Sequence, residues 1–108
     1  MDFLPFPLYL IYYFSNSLFS QPCLPEGIEF SSQLEIDNFQ INYPNCTDIE
    51  GSVLIDGNYI TNLDSLIVLN SIGGDLSITD NYNLISIAGL ANLSSIAGNL
   101  FIHENPIL

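Results

Sequence analysis

The chain has 108 residues, with 12 Asp and Glu, one His and no Lys or Arg, which gives a formal charge of −12. Without basic residues it cannot bind nucleic acid through phosphate contacts, hold phosphate in a P-loop or arginine clamp, or attach to anionic membranes. Lysine Schiff-base chemistry is excluded as well. With 48% hydrophobic residues, however, the chain is too apolar to be a disordered acidic tail. Its length allows one small domain.

An apolar segment, FLPFPLYLIYYF, occupies residues 3–14 and is followed by a Ser-rich stretch. It is too short for a transmembrane helix, which needs about 20 apolar residues. The pattern predicts a secretory signal peptide over residues 1–20, cleaved after Ser17 or Ser20, although the usual basic start is absent. A hydrophobic arm or a membrane-tethered tail is the alternative. We therefore expect a secreted or cell-surface protein.

The two cysteines, Cys23 and Cys46, both lie after this segment. An even number of cysteines in an exported chain favours one structural disulfide. Two thiols without clustered His cannot make a structural zinc site, and these two are too far apart for a Cys-x-x-Cys redox pair. We expect no metal site and no cofactor.

A seven-residue segment recurs three times, as IEGSVLI at residues 49–55, IGGDLSI at 72–78 and IAGNLFI at 96–102. Further Leu, Ile and Asn positions also align between the copies if one residue is missing after Asn58 in the first copy. A fixed period of roughly 20–29 residues with this composition is typical of leucine-rich repeats. The sequence therefore predicts repeats at residues 49–71, 72–95 and 96–108, the last of them incomplete.

Within each copy, an apolar triplet alternates inward, outward and inward, as a short strand does. Stacked copies align these triplets into a parallel sheet, preceded by a glycine in each copy where the chain bends tightly. The inward residues that follow recur every third position, from Leu84 to Ile96, which favours extended chain with short turns over an α-helix. The prediction is a mainly β fold, a parallel β-helix or leucine-rich-repeat-like solenoid.

Two sets of polar or exposed residues follow from this arrangement. One is a ladder of stacked asparagines whose side-chain amides satisfy backbone groups in the turns, a structural role: Asn58, Asn81 and Asn105. The other is a candidate binding face, formed by Leu54, Ser77 and Phe101 on the outer side of the sheet, with Tyr59 and Tyr82 in the turns. Aromatic residues are favoured at interfaces. Half-buried positions on a strand would account for these residues equally well.

Residues 21–48 fit the cap that the first repeat of a solenoid requires. Ser32 and Glu35 have the spacing of a capping box, which predicts a helix starting after Ser32. Ile36, Phe39 and Tyr43 lie at helical spacing, and the proline at position 44 ends the helix. The cysteines flank this helix and would join the cap to the first repeat.

The junction NCTDIEGSVLI at residues 45–55 resembles the start of receptor L domains, the ligand-binding domains of insulin and epidermal growth factor receptors. The regular copies resemble secreted L-domain-like proteins of the Bacteroidetes group still more. The resemblance covers residues 23–108 and implies a right-handed β-helix, a disulfide between Cys23 and Cys46, export, and a binding or adhesive role. It carries over no ligand-contacting residue. L domains have more coils and a C-terminal cap, so we expect a fragment or an early-terminated member of the family.

Catalytic chemistry has little support in the sequence. The lone His103 follows the third strand, and its neighbour Glu104 should point the opposite way on an extended chain, so we interpret His103 as an exposed turn residue. Asp80 and Glu104 occupy equivalent positions, with Asp56 displaced by one. Stacked carboxylates can hold calcium, but no calcium-binding motif occurs, and a solvated acidic turn is the favoured interpretation.

The leading hypothesis is a secreted or cell-surface recognition or adhesion module without enzymatic activity, whose partner is a protein or glycan. The alternative is a structural spacer, or the N-terminal fragment of a larger exported protein whose activity lies in further domains. The last repeat would leave Leu100, Ile102 and Leu108 uncovered, which predicts self-association through this open end.

Overall fold

A computed structural model describes residues 21–108; the predicted signal peptide lies outside them. Two parallel four-stranded sheets make up most of the regular structure, with the strand orders β1–β3–β5–β7 (sheet 1) and β2–β4–β6–β8 (sheet 2). The strands are β1 Pro22–Cys23, β2 Ile28–Phe30, β3 Asp48–Ile49, β4 Val53–Ile55, β5 Ser71–Ile72, β6 Leu76–Thr79, β7 Ser95–Ile96 and β8 Leu100–His103. The prediction of a mainly β fold is confirmed.

The molecule is a stack of four layers, each of which gives one strand to each sheet: β1 and β2 form layer 0, and β7 and β8 form layer 3. In sheet 2, Val53 is in register with Leu76, and Leu76 with Leu100. Because side chains alternate across a strand, Val53 and Ile55 face the core while Leu54 faces outward. The core runs continuously along the stack because every layer presents apolar side chains to the next.

The cap takes part in both sheets, which the sequence analysis did not predict. Ile28 and Phe30 of β2 pair with Val53 and Ile55 of β4, so the cap continues the stack by one layer. Gly27 precedes β2 with a φ of 84°, in the left-handed region that favours glycine. Sheet 1 was also missed, because its two-residue strands are too short to show an alternation in the sequence.

The capping helix is present but interrupted. It comprises α1 (Gln33–Asp37) and α2 (Phe39–Asn42), separated at Asn38, where one continuous helix was expected. Both hydrogen bonds of the predicted capping box are formed. Phe39 is buried and meets Phe30 edge to face, with 5.7 Å between ring centroids. Of the helices among residues 21–108, none combines the length and hydrophobicity that crossing a membrane requires.

The Glu35 carboxylate at the start of the helix makes a prediction about pH. The backbone N–H of Ser31 donates to Glu35 Oε1 at 2.7 Å, and this bond lowers the pKa of Glu35 below its usual 4.5. A lowered pKa means that the carboxylate stabilises the helix start at higher pH and that this stabilisation is lost as pH falls through the pKa of the folded state. We expect an NMR titration to place the Glu35 pKa below 4.5, and S31G, which keeps the backbone donor, to preserve most of the shift. A Glu35 pKa at or above 4.5 would contradict the capping geometry.

The predicted disulfide between Cys23 and Cys46 is confirmed, with 5.6 Å between the Cα atoms. It joins β1 to the segment that follows α2, and Cys46 packs in the core. The glycines before the outer strands allow the layers to approach closely. A Cβ on Gly51 would lie 2.2 Å from the backbone nitrogen of Gly27, a contact that no side chain tolerates.

Candidate functional site

A row of four side chains crosses the outer face of sheet 2, one from each layer. Glu29, Leu54, Ser77 and Phe101 are aligned by the register of the parallel strands, and we call them the outer row. Three of the four were predicted, whereas Glu29 was missed together with β2. Phe101 is the largest member and is 48% exposed. A half-exposed aromatic ring offers a large apolar contact surface to a partner.

A shallow depression lies beside the N-terminal half of the outer row and has a volume of about 420 Å³. Leu54 and Ser77 contribute to its lining, and three carboxylates surround it, those of Glu26, Glu29 and Asp75. Because the chain has no Lys or Arg, no basic side chain of its own can neutralise these carboxylates. The depression therefore combines apolar surface with an uncompensated negative potential.

An asparagine ladder runs along the opposite end of the strands. Asn81 is fully buried, and its Oδ1 accepts from the backbone N–H of Gly57 at 2.8 Å while its Nδ2 donates to the Ile55 carbonyl at 2.9 Å. In the next layer, Asn105 Oδ1 accepts from the backbone and side-chain nitrogens of Asn81 at 3.1 and 2.8 Å. Each asparagine thus satisfies turn groups of the layer before it.

Asn58, the third predicted member, lies at the surface and outside this ladder. In the first copy, the residue at the position of Asn81 is Gly57, whose backbone N–H bonds to the ladder. The one-residue gap of the first copy therefore falls between Ile55 and Gly57, and not after Asn58. In the later copies the extra residues are Asp80 and Glu104, which have φ values of 57° and 59°. The alignment by residue identity therefore placed the one-residue gap on the wrong side of Asn58.

The sequence model of the receptor L domain family matches residues 45–108, more than half of the chain. The chain belongs to the receptor L domain family. Receptor L domains are extracellular, non-catalytic domains that bind ligands. Neither the curated proteins nor the solved structures compared with the chain include a match. The family match begins after α2, so both strands of layer 0 lie before the matched residues.

A second ladder fixes the bend before the outer strands of this L domain. The Ser52 hydroxyl accepts from the Asp75 backbone N–H at 2.9 Å, and Asp75 Oδ1 accepts from the Asn99 backbone N–H at 2.8 Å. Asp75 therefore has both a structural role, through Oδ1, and a place at the depression. Sequence reasoning missed this ladder because Ser, Asp and Asn share no obvious pattern, although all three are short side chains with an acceptor oxygen.

Side-chain amides also join the layers outside the two sheets, where the chain forms 3-10 turns. Gln40 Nε2 donates to the Ser65 carbonyl at 2.9 Å, and Asn92 Nδ2 donates to the Ile67 carbonyl at 2.9 Å. The Gln40 bond links the cap to the 3-10 turn Asp64–Leu66. The Asn92 bond links the end of that turn to the following layer, where the second 3-10 turn is Ala88–Leu90. Neutral amides thus make the polar connections between layers that ion pairs make in proteins with basic residues.

The orientation of the His103 side chain differs from the prediction. Its Nε2 lies 3.7 Å from Glu104 Oε2, because the left-handed backbone of Glu104 turns the two side chains to the same side. Both side chains are more than half exposed, so the pair is a solvated contact. Within residues 21–108 no group of three or more His, Cys, Asp or Glu side chains could hold a metal ion.

Tyr59 and Tyr82 lie in the turns that follow β4 and β6, and they are 78% and 47% exposed. The negative charge of Asp80, and to a smaller extent that of Glu104, raises the pKa of the Tyr82 hydroxyl above its usual 10. These turns form an acidic border at one end of the outer face.

Proposed function

We propose that this receptor L domain is an exported, non-enzymatic recognition module and that the outer face of sheet 2 is its recognition surface. We also propose that the layers form a right-handed solenoid, which makes that face a rigid platform. The observation that carries the proposal is the outer row itself, in which Phe101 is exposed and Leu54 lies beside carboxylates that have no Lys or Arg counter-charge within the chain.

The chemistry of this surface defines the partner we propose, a protein segment that carries apolar side chains and Lys or Arg. Apolar groups would pack on Leu54 and Phe101, and cations would lie opposite Glu29 and Asp75. Interfaces of this kind derive most of their affinity from a few central apolar or aromatic anchors, whereas charged rims determine orientation and the rate of association. A rigid strand face loses little conformational entropy on binding.

Export to the cell exterior is part of the proposal. The Cys23–Cys46 disulfide supports it, because disulfides persist in oxidising compartments. The apolar segment at residues 3–14 supports it as a signal peptide. A passive spacer is the second candidate, supported by the hydrogen-bond ladders that hold the layers at fixed spacing.

A displayed peptide library separates recognition from spacing. Panning on the purified, oxidised protein should enrich peptides that combine apolar residues with Lys or Arg. A double variant of the outer row, L54S/F101S, should weaken binding of an enriched peptide at least tenfold, about the effect of removing one interface anchor. The charge variant E29Q/D75N should weaken it less and reduce its dependence on salt, while the Asn at position 75 keeps the ladder acceptor.

Matched controls lie outside the two sheets, on the second cap helix and after the first 3-10 turn. Ile41 is 75% exposed on α2 and Ile67 is 38% exposed after the 3-10 turn, so I41S/I67S removes a similar apolar surface elsewhere. This variant should bind the peptide as the unmodified protein does. Equal loss of binding in the control and outer-row variants, or a library that yields no specific peptide, would contradict the recognition surface and favour the spacer.

A further inference from the structure

The residue that leads into β1 is bound through its backbone to the start of β3. The Gln21 carbonyl accepts from the backbone N–H groups of Thr47 and Asp48, at 3.3 and 3.1 Å. The backbone nitrogen of Gln21 in turn donates to the Thr47 hydroxyl at 2.9 Å. Hydrogen bonds in both directions between Gln21 and Thr47 hold the backbone of Gln21 in place. Residue 21 therefore belongs to the folded domain.

Position 21 also follows one of the two expected cleavage sites of the signal peptide, the one after Ser20. Cleavage there makes Gln21 the first residue of the exported chain. Its three backbone hydrogen bonds are kept, because its nitrogen remains a donor. Cleavage after Ser17 would instead leave the apolar pair Leu18 and Phe19 in front of the domain. The site after Ser20 thus removes the apolar residues and leaves the bonds of Gln21 in place.

A glutamine at the start of a chain can react with its own side chain. The free α-amino nitrogen attacks Cδ of the carboxamide, so a bond from this nitrogen to Cδ forms and the bond from Cδ to Nε2 breaks. Nε2 leaves as ammonia and takes up the proton that the α-nitrogen loses, so the reaction needs no oxidant, reductant or other co-reactant. The product is a five-membered lactam, pyroglutamate, which has one N–H donor and no positive charge.

We propose that the exported chain begins at residue 21 and that Gln21 is cyclised to pyroglutamate. The inference rests on the export that is part of the proposed function. Thr47 Oγ1 accepts one N–H from residue 21, and the lactam keeps one N–H. An uncyclised terminus would place a protonated amine with three N–H groups at this half-buried position. The lactam therefore provides the same hydrogen bond at a lower desolvation cost.

The carboxylate beside this position, that of Asp48, does not depend on a positive charge at residue 21. The Thr47 hydroxyl donates to Asp48 Oδ2 at 3.0 Å. The side chains of Asn70 and Ser71 both donate to Asp48 Oδ1. Because neutral donors satisfy both carboxylate oxygens, loss of the terminal charge leaves neither of them without a partner.

Cyclisation removes the last amine from residues 21–108. This part of the chain contains no Lys or Arg, so the α-amino group of Gln21 would be its only amine. After cyclisation, His103 is the only group in this range that can carry a positive charge. Aminopeptidases bind a free α-amine, so the lactam would also protect the residues that lead into β1 from removal.

Mass spectrometry and amine labelling of the exported protein test the inference. The full chain, expressed with residues 1–20 and recovered after export, should have the mass of oxidised residues 21–108 less one ammonia. An N-hydroxysuccinimide ester should not label it, because residues 21–108 contain no lysine. The control Q21A cannot cyclise and should take up one label per chain. Its urea unfolding midpoint should equal that of the unmodified chain, because the backbone bonds to Thr47 are kept.

The outcomes separate this inference from the proposed export. An exported chain that begins at Leu18, or that begins at Gln21 with a reactive amine, would overturn the pyroglutamate terminus and still support export. A chain that stays in the cell with residues 1–20 attached would overturn both. Equal labelling of the unmodified chain and Q21A would likewise contradict cyclisation.

Discussion

Replacing both Cys23 and Cys46 by Ala lowers the free energy of unfolding by about 3 kcal/mol, as expected for opening a loop of this length. The two residues are 23 apart in sequence, and the bond restricts the unfolded chain over the whole cap. In the folded state, the loop contains β2 and both helices, so layer 0 should be the first part to open. Urea unfolding of the variant and of the oxidised chain measures the difference.

Hydrogen exchange shows which part of the protein the disulfide stabilises. The amides of layer 0 should lose protection in the double variant, whereas those of β6 should change only through the lower global stability. The unmodified chain after reduction is the matched control and should unfold at the same urea concentration as the variant. A loss of stability below about 1 kcal/mol would show that the disulfide contributes little to holding the cap on the stack.

Replacing Asn81 by Ala should be the most damaging single substitution of a polar residue, with an expected loss of about 4 kcal/mol. The truncation leaves the Gly57 N–H and the Ile55 carbonyl without the bonds from the Asn81 side chain, while Asn105 Oδ1 keeps only the bond from the backbone N–H at position 81. Each buried group that loses its partner costs about 1–3 kcal/mol, so the two losses together account for about 4 kcal/mol. Thermal or urea unfolding measures the change.

Asn58 is the matched control, since it follows the first outer strand as Asn81 follows the second but lies at the surface. N58A should change the free energy of unfolding by no more than about 0.5 kcal/mol, as exposed substitutions do. Losses of similar size for N58A and N81A would contradict the placement of the ladder on Gly57, Asn81 and Asn105.

The periodic part of the fold could be predicted from the sequence because aligning the repeated segments shows which residues of neighbouring strands lie side by side. Once residues 49–55, 72–78 and 96–102 are aligned, the pleat determines that Leu54, Ser77 and Phe101 share one face. The capping box was equally readable, since Ser32 and Glu35 have local roles that do not depend on tertiary context.

The features that were missed depend on contacts between layers. The cap strand at residues 28–30 has the apolar–polar–apolar pattern but lacks the flanking residues of the copies, so only pairing with β4 makes it a strand. Glu29 was therefore absent from the predicted face. The error at Asn58 arose because a one-residue gap can be placed on either side of an asparagine in the alignment, whereas the hydrogen bond to Gly57 allows only one placement. The approach of His103 to Glu104 required a left-handed backbone that the sequence did not signal.

An NMR titration with a peptide enriched by panning is the most direct test of the claim that the outer face of sheet 2 is a recognition surface. The account predicts that backbone amide shifts change at the outer row, at Glu29, Leu54, Ser77 and Phe101, and at neighbouring strand positions. The amide shifts of Ile41, Ile67 and Asn92, which lie outside the two sheets, should remain unchanged. Shift changes confined to these residues, with the outer row undisturbed by a bound peptide, would contradict the account.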